Sequence, residues 1–192
     1  MPWVHLPARR WPQAARFNQI LNFQPVLTYI SGGQRSGKSR YAQDLALQLS
    51  PNPVYLATSR AWDDDHRQRI ARHVADRDDR WTTLEEEKYV SRLALAGRTV
   101  VLDCVTLWLT NFFADAAYNV ETTLHQAQIE FDKLMQQDCN LIVISNEIGM
   151  GLHAPTEAGR KFADLQGWLN QHIAHRADRA IFMVSGLPLV VK

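Results

Sequence analysis

An eight-residue glycine-rich stretch constrains the fold of this chain more than any other feature of its sequence. It fits the phosphate-binding pattern G-x-x-x-x-G-K-[ST] and consists of Gly32, Gly33, Gln34, Arg35, Ser36, Gly37, Lys38 and Ser39. The apolar residues 26–30 precede it and predict a buried strand, and apolar residues at helical spacing follow it. A strand, a glycine-rich loop and a helix in this order surround phosphate oxygens with backbone N–H groups and a helix N-terminus. We therefore expect this P-loop to bind the phosphates of a nucleotide.

Three side chains in and near the P-loop are predicted to carry chemistry. We expect the Lys38 ammonium to reach the β- and γ-phosphates as a catalytic and nucleotide-binding group, and the Ser39 hydroxyl to bind Mg²⁺. Residues 99–103 predict a core strand that ends in Asp103. Because a P-loop protein needs a carboxylate for Mg²⁺ at such a strand end, we favour Asp103 as a second metal ligand over an ordinary turn aspartate.

Length and composition favour an ordinary globular protein. Of the 192 residues, 46% are hydrophobic and 21% are charged, and the formal net charge of +1 gives no electrostatic reason to expect a nucleic acid or a membrane as partner. No apolar run approaches the roughly 18 residues of a membrane helix. Cys104 and Cys139 are too few for a disulfide framework, which favours a reducing compartment, the cytoplasm.

Residues 1–25 differ in composition from the rest of the chain. They contain three arginines and no acidic residue, as transit peptides do, but they lack serine and are interrupted by prolines. We interpret them as a poorly ordered N-terminal extension. Residues 26–192 are then a single P-loop α/β domain.

Strand and helix patterns alternate along this domain. Such alternation predicts a mainly parallel sheet with helices on both faces. Strands are predicted at residues 26–30, 54–57, 99–103, 141–145 and 180–184, with a short edge strand at 189–191. Helices are predicted after the P-loop and at residues 63–77, 107–116, 121–137 and 159–176.

Two further stretches contain candidate site residues. Arg69, His73 and Arg77 lie four residues apart on one face of the helix predicted at residues 63–77. Positive neighbours disfavour the imidazolium form, so this histidine would be neutral and nucleophilic near pH 7. On spacing alone, a solvated basic helix face is the favoured interpretation. The polar and glycine-rich residues 146–151 predict either another active-site loop or a flexible connection.

Several segments occur together in an order that is typical of one family. They are residues 32–40, 55–59, 69–73 with Arg77, 81–85, 146–151 and 184–188. Together they resemble the bifunctional adenosylcobinamide kinase / adenosylcobinamide-phosphate guanylyltransferase family of cobalamin biosynthesis, from about residue 26 to the C-terminus. The P-loop alone is unspecific, whereas the Arg-Ile-x-x-His helix combined with Asn-Glu-x-Gly-Met-Gly is highly specific.

The resemblance implies a RecA-like P-loop NTPase fold and two reactions. In the first, ATP or GTP phosphorylates the aminopropanol hydroxyl of adenosylcobinamide. In the second, GMP passes from GTP to adenosylcobinamide-phosphate, which gives adenosylcobinamide-GDP and pyrophosphate. The resemblance also implies a homotrimer and small-molecule substrates.

The resemblance further implies roles for individual residues. His73 matches the family's covalently guanylylated histidine, which overturns the interpretation of its helix as a merely solvated face. Arg69 and Arg77 are then expected at the α-phosphate. The other residues expected at the nucleotide, besides the P-loop, are Ala57, Thr58, Ser59, Glu85 and Asp103.

A P-loop is also typical of two other functions. A P-loop small-molecule kinase without a covalent step would not need His73. A nucleotide-switched regulatory GTPase usually reads guanine with Asn-Lys-x-Asp, a tetrapeptide that this sequence lacks.

Overall fold

The computed structural model describes residues 25–60 and 78–192. Seven strands in these residues form one sheet in the order β3-β2-β4-β5-β1-β6-β7. Neighbouring strands pair in parallel, except β6 and β7, which pair antiparallel. The strands are β1 (Leu27–Gly32), β2 (Val54–Ala57), β3 (Thr82–Glu85), β4 (Thr99–Asp103), β5 (Asn140–Ile144), β6 (Arg179–Val184) and β7 (Leu187–Val190). The predicted mainly parallel sheet is confirmed.

Helices cover both faces of this sheet, as predicted. Within the described residues they are α1 (Lys38–Leu49), α2 (Val105–Asp115), α3 (Val120–Leu134) and α4 (Glu157–Arg176), with a turn of 3₁₀-helix at Val90–Arg92. On one face Ala46 of α1 shares a buried cluster with Ile142 of β5. On the other face Phe131 of α3 and Leu169 of α4 share a cluster with Val143, the next residue of β5. Consecutive strand residues point to opposite faces, so β5 is buried on both. The chain therefore has the predicted α/β architecture, a mainly parallel sheet with helices on both faces.

The helices differ in how they begin. The Asn119 side chain accepts a hydrogen bond from the Thr122 amide at the start of α3, and the Thr156 side chain accepts one from the Gly159 amide at the start of α4. The residue before α1 is Gly37, which has a φ of 96° and no side chain with which to cap the helix. The first amides of α1 are therefore left for an anion.

Two strands differ from the sequence-based expectation. β3 was not predicted, because three of its four residues are exposed and it shows no apolar alternation. β7 begins at Leu187 rather than at residue 189, since a two-residue turn joins it to β6. Ser185 and Gly186 form that turn with φ values of 50° and 82°, both positive as a type I′ hairpin turn requires.

Two predictions fall on residues 1–24 and 61–77, outside the described part of the chain. They are the poorly ordered extension and the helix with Arg69, His73 and Arg77, and both stay predictions. Among the residues that the structure does describe, no helix is both long and apolar enough to cross a membrane.

Candidate active site

The carboxyl ends of four strands meet at one edge of the sheet. Ala57 at the end of β2 is in register with Glu85 of β3 on one side and with Asp103 of β4 on the other. Asp103 is in turn in register with Ile144 of β5. The P-loop follows β1, the next strand along this edge, where open α/β sheets bind their ligands. The sheet therefore brings Ala57, Glu85 and Asp103 to the same edge as the P-loop.

The backbone of the P-loop depends on two glycines. Gly32 has a φ of 151°, and a Cβ on it would lie 2.6 Å from the Met183 carbonyl oxygen of β6. Gly37 has a φ of 96°, and its Cβ would lie 3.2 Å from the Cα of Gly186 in the β6–β7 turn. The Gly186 amide also donates a hydrogen bond of 2.9 Å to the Ser36 carbonyl. The turn thus supports the loop from one side and leaves no room for side chains there.

Lys38 closes back over the P-loop. Its ammonium donates hydrogen bonds of 2.9 Å and 2.7 Å to the carbonyl oxygens of Gly32 and Gly33. Burial lowers the pKa of Lys38, and the charge of the Asp103 carboxylate opposes that shift. Lys38 therefore lies on the loop backbone, at the same edge of the sheet as the carboxylate that ends β4.

Asp103 is oriented by a tyrosine on the neighbouring strand. The Tyr55 hydroxyl of β2 donates a 2.7 Å hydrogen bond to Asp103 Oδ2. Burial raises the pKa of the adjacent Cys104 thiol to about 12, which keeps the thiol uncharged beside this carboxylate. Among the described residues no group of three or more His, Cys, Asp and Glu side chains could hold a metal by itself. One carboxylate with a hydroxyl such as that of Ser39 nevertheless suits Mg²⁺, which keeps several waters and binds substrate phosphates.

Thr58 is committed to the protein backbone. It is fully buried, its hydroxyl donates a 2.9 Å hydrogen bond to the Cys104 carbonyl, and its amide donates to the Asp103 carbonyl. Any contact of Thr58 with a nucleotide would therefore replace or share one of these bonds. Ser59 is partly exposed and Glu85 is exposed at the same edge.

Asn111 joins the strand-end loops and was not predicted. This residue of α2 is fully buried, and its amide nitrogen donates hydrogen bonds of 2.8 Å and 2.9 Å to the carbonyls of Thr58 and Glu87. Both carbonyls follow strands, β2 and β3, so one side chain fixes the spacing between two loops of the site. An asparagine within an apolar helix gives no local signal of such distant partners.

An ion-pair cluster that includes residues of these loops was also not predicted. Arg60 contacts Glu87 at 2.7 Å and Asp115 at 2.9 Å, and Lys88 contacts Asp115 at 3.0 Å. The hydrogen bonds from Arg60 and Lys88 hold the pKa of Asp115 at about 2. The cluster links the chain after β2 and after β3 to the end of α2.

The polar loop after β5 is attached to the P-loop. The Glu147 amide donates a 3.0 Å hydrogen bond to the Gly32 carbonyl. The amide and side-chain nitrogens of Asn146 both donate to the Thr106 hydroxyl, at 3.2 Å and 3.1 Å, and Asn170 Nδ2 donates to the Asn146 carbonyl. These bonds favour the interpretation of the loop's first residues as part of the site over that of a flexible connection.

Comparison with known proteins identifies the family. The family described as "Cobinamide kinase / cobinamide phosphate guanyltransferase" matches residues 28–191. The chain belongs to this family. It is 39% identical to "Bifunctional adenosylcobalamin biosynthesis protein CobP" of Pseudomonas aeruginosa over 168 residues. This alignment covers 85% of this chain and 95% of that protein. It is 31% identical to "Bifunctional adenosylcobalamin biosynthesis protein CobU" of Escherichia coli over 182 residues, and this alignment covers 87% of this chain and all of that protein.

A solved structure of more distant sequence is also similar. The flagellar accessory protein FlaH from Methanocaldococcus jannaschii aligns over 88% of this chain and 80% of its own, with a TM-score of 0.45 and 15% identity. The match of the family over residues 28–191 confirms the family that the sequence motifs predict.

Proposed function

We propose that this cobinamide kinase / cobinamide phosphate guanyltransferase family member phosphorylates adenosylcobinamide with ATP or GTP and then transfers GMP from GTP to the adenosylcobinamide-phosphate. The observation that best supports the proposal is the arrangement of side chains at the sheet edge that holds the P-loop. Lys38 lies on the loop carbonyls, Asp103 lies at the same edge of the sheet, and the chain matches the family over residues 28–191. The products are adenosylcobinamide-GDP and pyrophosphate.

In the first reaction the P-loop holds the triphosphate. The uncapped N-terminus of α1 and the loop amides face the phosphate oxygens, and Lys38 leaves the carbonyls of Gly32 and Gly33 to bind the β- and γ-phosphates. Ser39 and Asp103 would hold Mg²⁺, which neutralises charge on the phosphates when bound. The acceptor hydroxyl oxygen bonds to the γ-phosphorus as the bond from that phosphorus to the β–γ bridging oxygen breaks.

In the second reaction His73 is the nucleophile. An imidazole nitrogen attacks the α-phosphorus of GTP, and pyrophosphate leaves with the bridging oxygen. Arg69 and Arg77 stabilise the charge on the α-phosphate, while Ala57, Thr58, Ser59 and Glu85 contact the rest of the nucleotide. A phosphate oxygen of adenosylcobinamide-phosphate then attacks the same phosphorus and releases His73.

The same proposal includes the assembly and the location of the protein. A homotrimer follows from the family resemblance. The described cysteines, Cys104 and Cys139, are both free and buried, which suits a reducing cytoplasm.

Labelling with GTP tests the covalent step. Protein, Mg²⁺ and GTP are mixed without corrinoid, with α-label and γ-label in parallel samples. Wild type should retain α-label after denaturation but no γ-label, through an acid-labile and base-stable bond. His73→Ala should retain neither, whereas His125→Ala, which changes an exposed histidine of α3, should label as wild type does. Equal α-labelling of His73→Ala, or no α-label on wild type, would contradict the guanylyl-histidine and favour a plain P-loop kinase.

A further inference from the structure

A groove of about 310 Å³ lies on the face of the sheet opposite α1. It is lined by Tyr29 and Ser31 of β1, by Phe182 of β6 and by Val191. Glu147 of the loop after β5 also lines it. Its volume falls in the range of small-molecule sites, roughly 300–1,000 Å³. None of these five residues has a role in the two reactions proposed above.

The groove adjoins the P-loop through two neighbouring residues. Ser31 lines the groove and directly precedes Gly32, the first residue of the loop. The Glu147 amide donates to the Gly32 carbonyl, and this carbonyl also accepts a hydrogen bond from Lys38. The end of the groove at Ser31 and Glu147 is therefore the end nearest to the P-loop, and a ligand arm placed there would approach the loop.

A buried polar network holds the backbone of the residues directly before Glu147. The Ser145 hydroxyl donates a 2.6 Å hydrogen bond to Asn170 Oδ1, and Gln166 Nε2 donates to both of these oxygens. Asn170 also donates to the Asn146 carbonyl, one residue before Glu147. This support fixes the point from which the Glu147 side chain extends relative to the P-loop, and a reacting group needs such positioning.

The polar groups in the groove suit an uncharged or cationic ligand that carries a hydroxyl. The Glu147 carboxylate can only accept hydrogen bonds when ionised. Burial raises the pKa of the Tyr29 phenol, and the nearby Glu147 carboxylate adds to the shift, so the phenol stays a neutral donor. The other walls are largely apolar. A carboxylate in such surroundings disfavours an anionic group and accepts a proton from an alcohol.

We propose that this groove receives the hydroxyl-bearing arm of the acceptor in the kinase reaction, and that Glu147 is the general base that accepts the hydroxyl proton. The inference rests on the proposed function. As the hydroxyl oxygen bonds to the γ-phosphorus, its proton passes to Glu147, and the nucleoside diphosphate leaves with the bridging oxygen. A positioned carboxylate of this kind is also how protein kinases orient the attacking hydroxyl.

The first test is Glu147→Gln in the full-length protein, with adenosylcobinamide and ATP as substrates. The variant keeps the size and the hydrogen-bonding backbone but cannot accept the proton. The kcat of phosphorylation should fall by roughly 100-fold or more, while the Kd for GTP with Mg²⁺ and the α-labelling by GTP without corrinoid should stay within about twofold of wild type. Glu147→Asp should recover part of the lost kcat.

The second test fills the groove without touching the proposed base. Val191 lines the groove, whereas Val190, which is 71% exposed at the end of β7, lies outside its lining. Val191→Trp should raise the KM for adenosylcobinamide by about tenfold and leave the KM for ATP unchanged. Val190→Trp should change neither KM.

The outcomes separate this inference from the proposed function. If wild type phosphorylates adenosylcobinamide but Glu147→Gln keeps its kcat, the general base is wrong while the proposed function stands. If Val191→Trp and Val190→Trp have equal KM values for adenosylcobinamide, the groove is not the acceptor site. If wild type does not phosphorylate adenosylcobinamide, the proposed function fails and the inference fails with it.

Discussion

The sheet edge that carries the P-loop is held together by two different kinds of contact, one on each side of the loop. On the backbone side, the β6–β7 turn and Met183 contact the loop through main-chain atoms at Gly32, Ser36 and Gly37. On the side-chain side, the ends of β2, β3 and β4 are joined by hydrogen bonds from the Tyr55, Thr58 and Asn111 side chains. The first side requires the absence of side-chain atoms, and the second requires particular side-chain donors.

This difference predicts how each side responds to substitution. A residue on the backbone side should be intolerant of any added Cβ, whatever its chemistry. A residue on the side-chain side should be intolerant of a change that keeps its shape but removes its donor. The predictions below apply one such change at a time, from the largest expected loss of stability to the smallest.

Gly32→Ala tests the backbone side. The new Cβ would lie 2.6 Å from the Met183 carbonyl oxygen, at a φ of 151° that favours glycine. The free energy of unfolding should fall by roughly 2–4 kcal/mol, measured by urea denaturation. Gly33→Ala is the control, because a Cβ there meets no atom within 4 Å and should cost less than about 0.5 kcal/mol. Equal losses in the two variants would show that packing against β6 does not set the requirement for glycine.

Asn111→Asp tests the side-chain side with little change in shape. The carboxylate would lose two donated hydrogen bonds and face the carbonyls of Thr58 and Glu87 in a buried position. We expect the free energy of unfolding at pH 7 to fall by about 2–3 kcal/mol and nucleotide affinity to weaken, because the loops after β2 and β3 lose their link.

The control for this variant makes the same amide-to-carboxylate change on an exposed helix position. Gln126→Glu in α3 should alter stability by no more than about 0.5 kcal/mol. If Asn111→Asp is equally mild, the two loops do not depend on this side chain.

Tyr55→Phe removes one donor to a carboxylate. Loss of the 2.7 Å bond to Asp103 should cost about 1–2 kcal/mol of unfolding free energy. If Asp103 is a Mg²⁺ ligand, the Mg²⁺ concentration for half-maximal GTP binding should also rise by up to about tenfold. Tyr118→Phe, at a tyrosine that is 58% exposed, should change neither quantity. A stability loss without any shift in the Mg²⁺ requirement would remove Asp103 from the proposed metal site.

The features that could be predicted from the sequence are those that depend on residues close together along the chain. The P-loop is a contiguous motif, and β2 and β4 are contiguous apolar runs, so their bounds were predicted correctly. The edge position of Asp103 followed from its place at the end of such a run. β3 has exposed residues and pairs with β2 only through its backbone, so its side chains carried no pattern.

The missed site residues are those whose partners lie far along the chain. Asn111 bonds to residues 53 and 24 positions away, and Tyr55 bonds to Asp103 at 48 positions. Nothing in the sequence near these residues differs from that of an ordinary buried helix or strand. The hydrogen bond from Glu147 to Gly32 likewise depends on β1 and β5 being neighbours in the sheet, which the alternation of strands and helices does not specify.

Asp115→Asn tests the outer part of the side-chain side and has the smallest expected effect. The pKa of Asp115 is lowered from 3.8 to about 2 in the folded protein, so its contribution to stability is present above about pH 4 and is lost as the pH falls through about 2. Its side chain is 38% exposed, and solvent screening limits the contribution to about 0.5–1 kcal/mol. The difference in unfolding free energy between wild type and Asp115→Asn should therefore be of this size at about pH 6 and should shrink as the pH falls through about 2. A difference that does not change with pH would mean that the Asp115 side chain stabilises the fold through packing and not through the charges of Arg60 and Lys88.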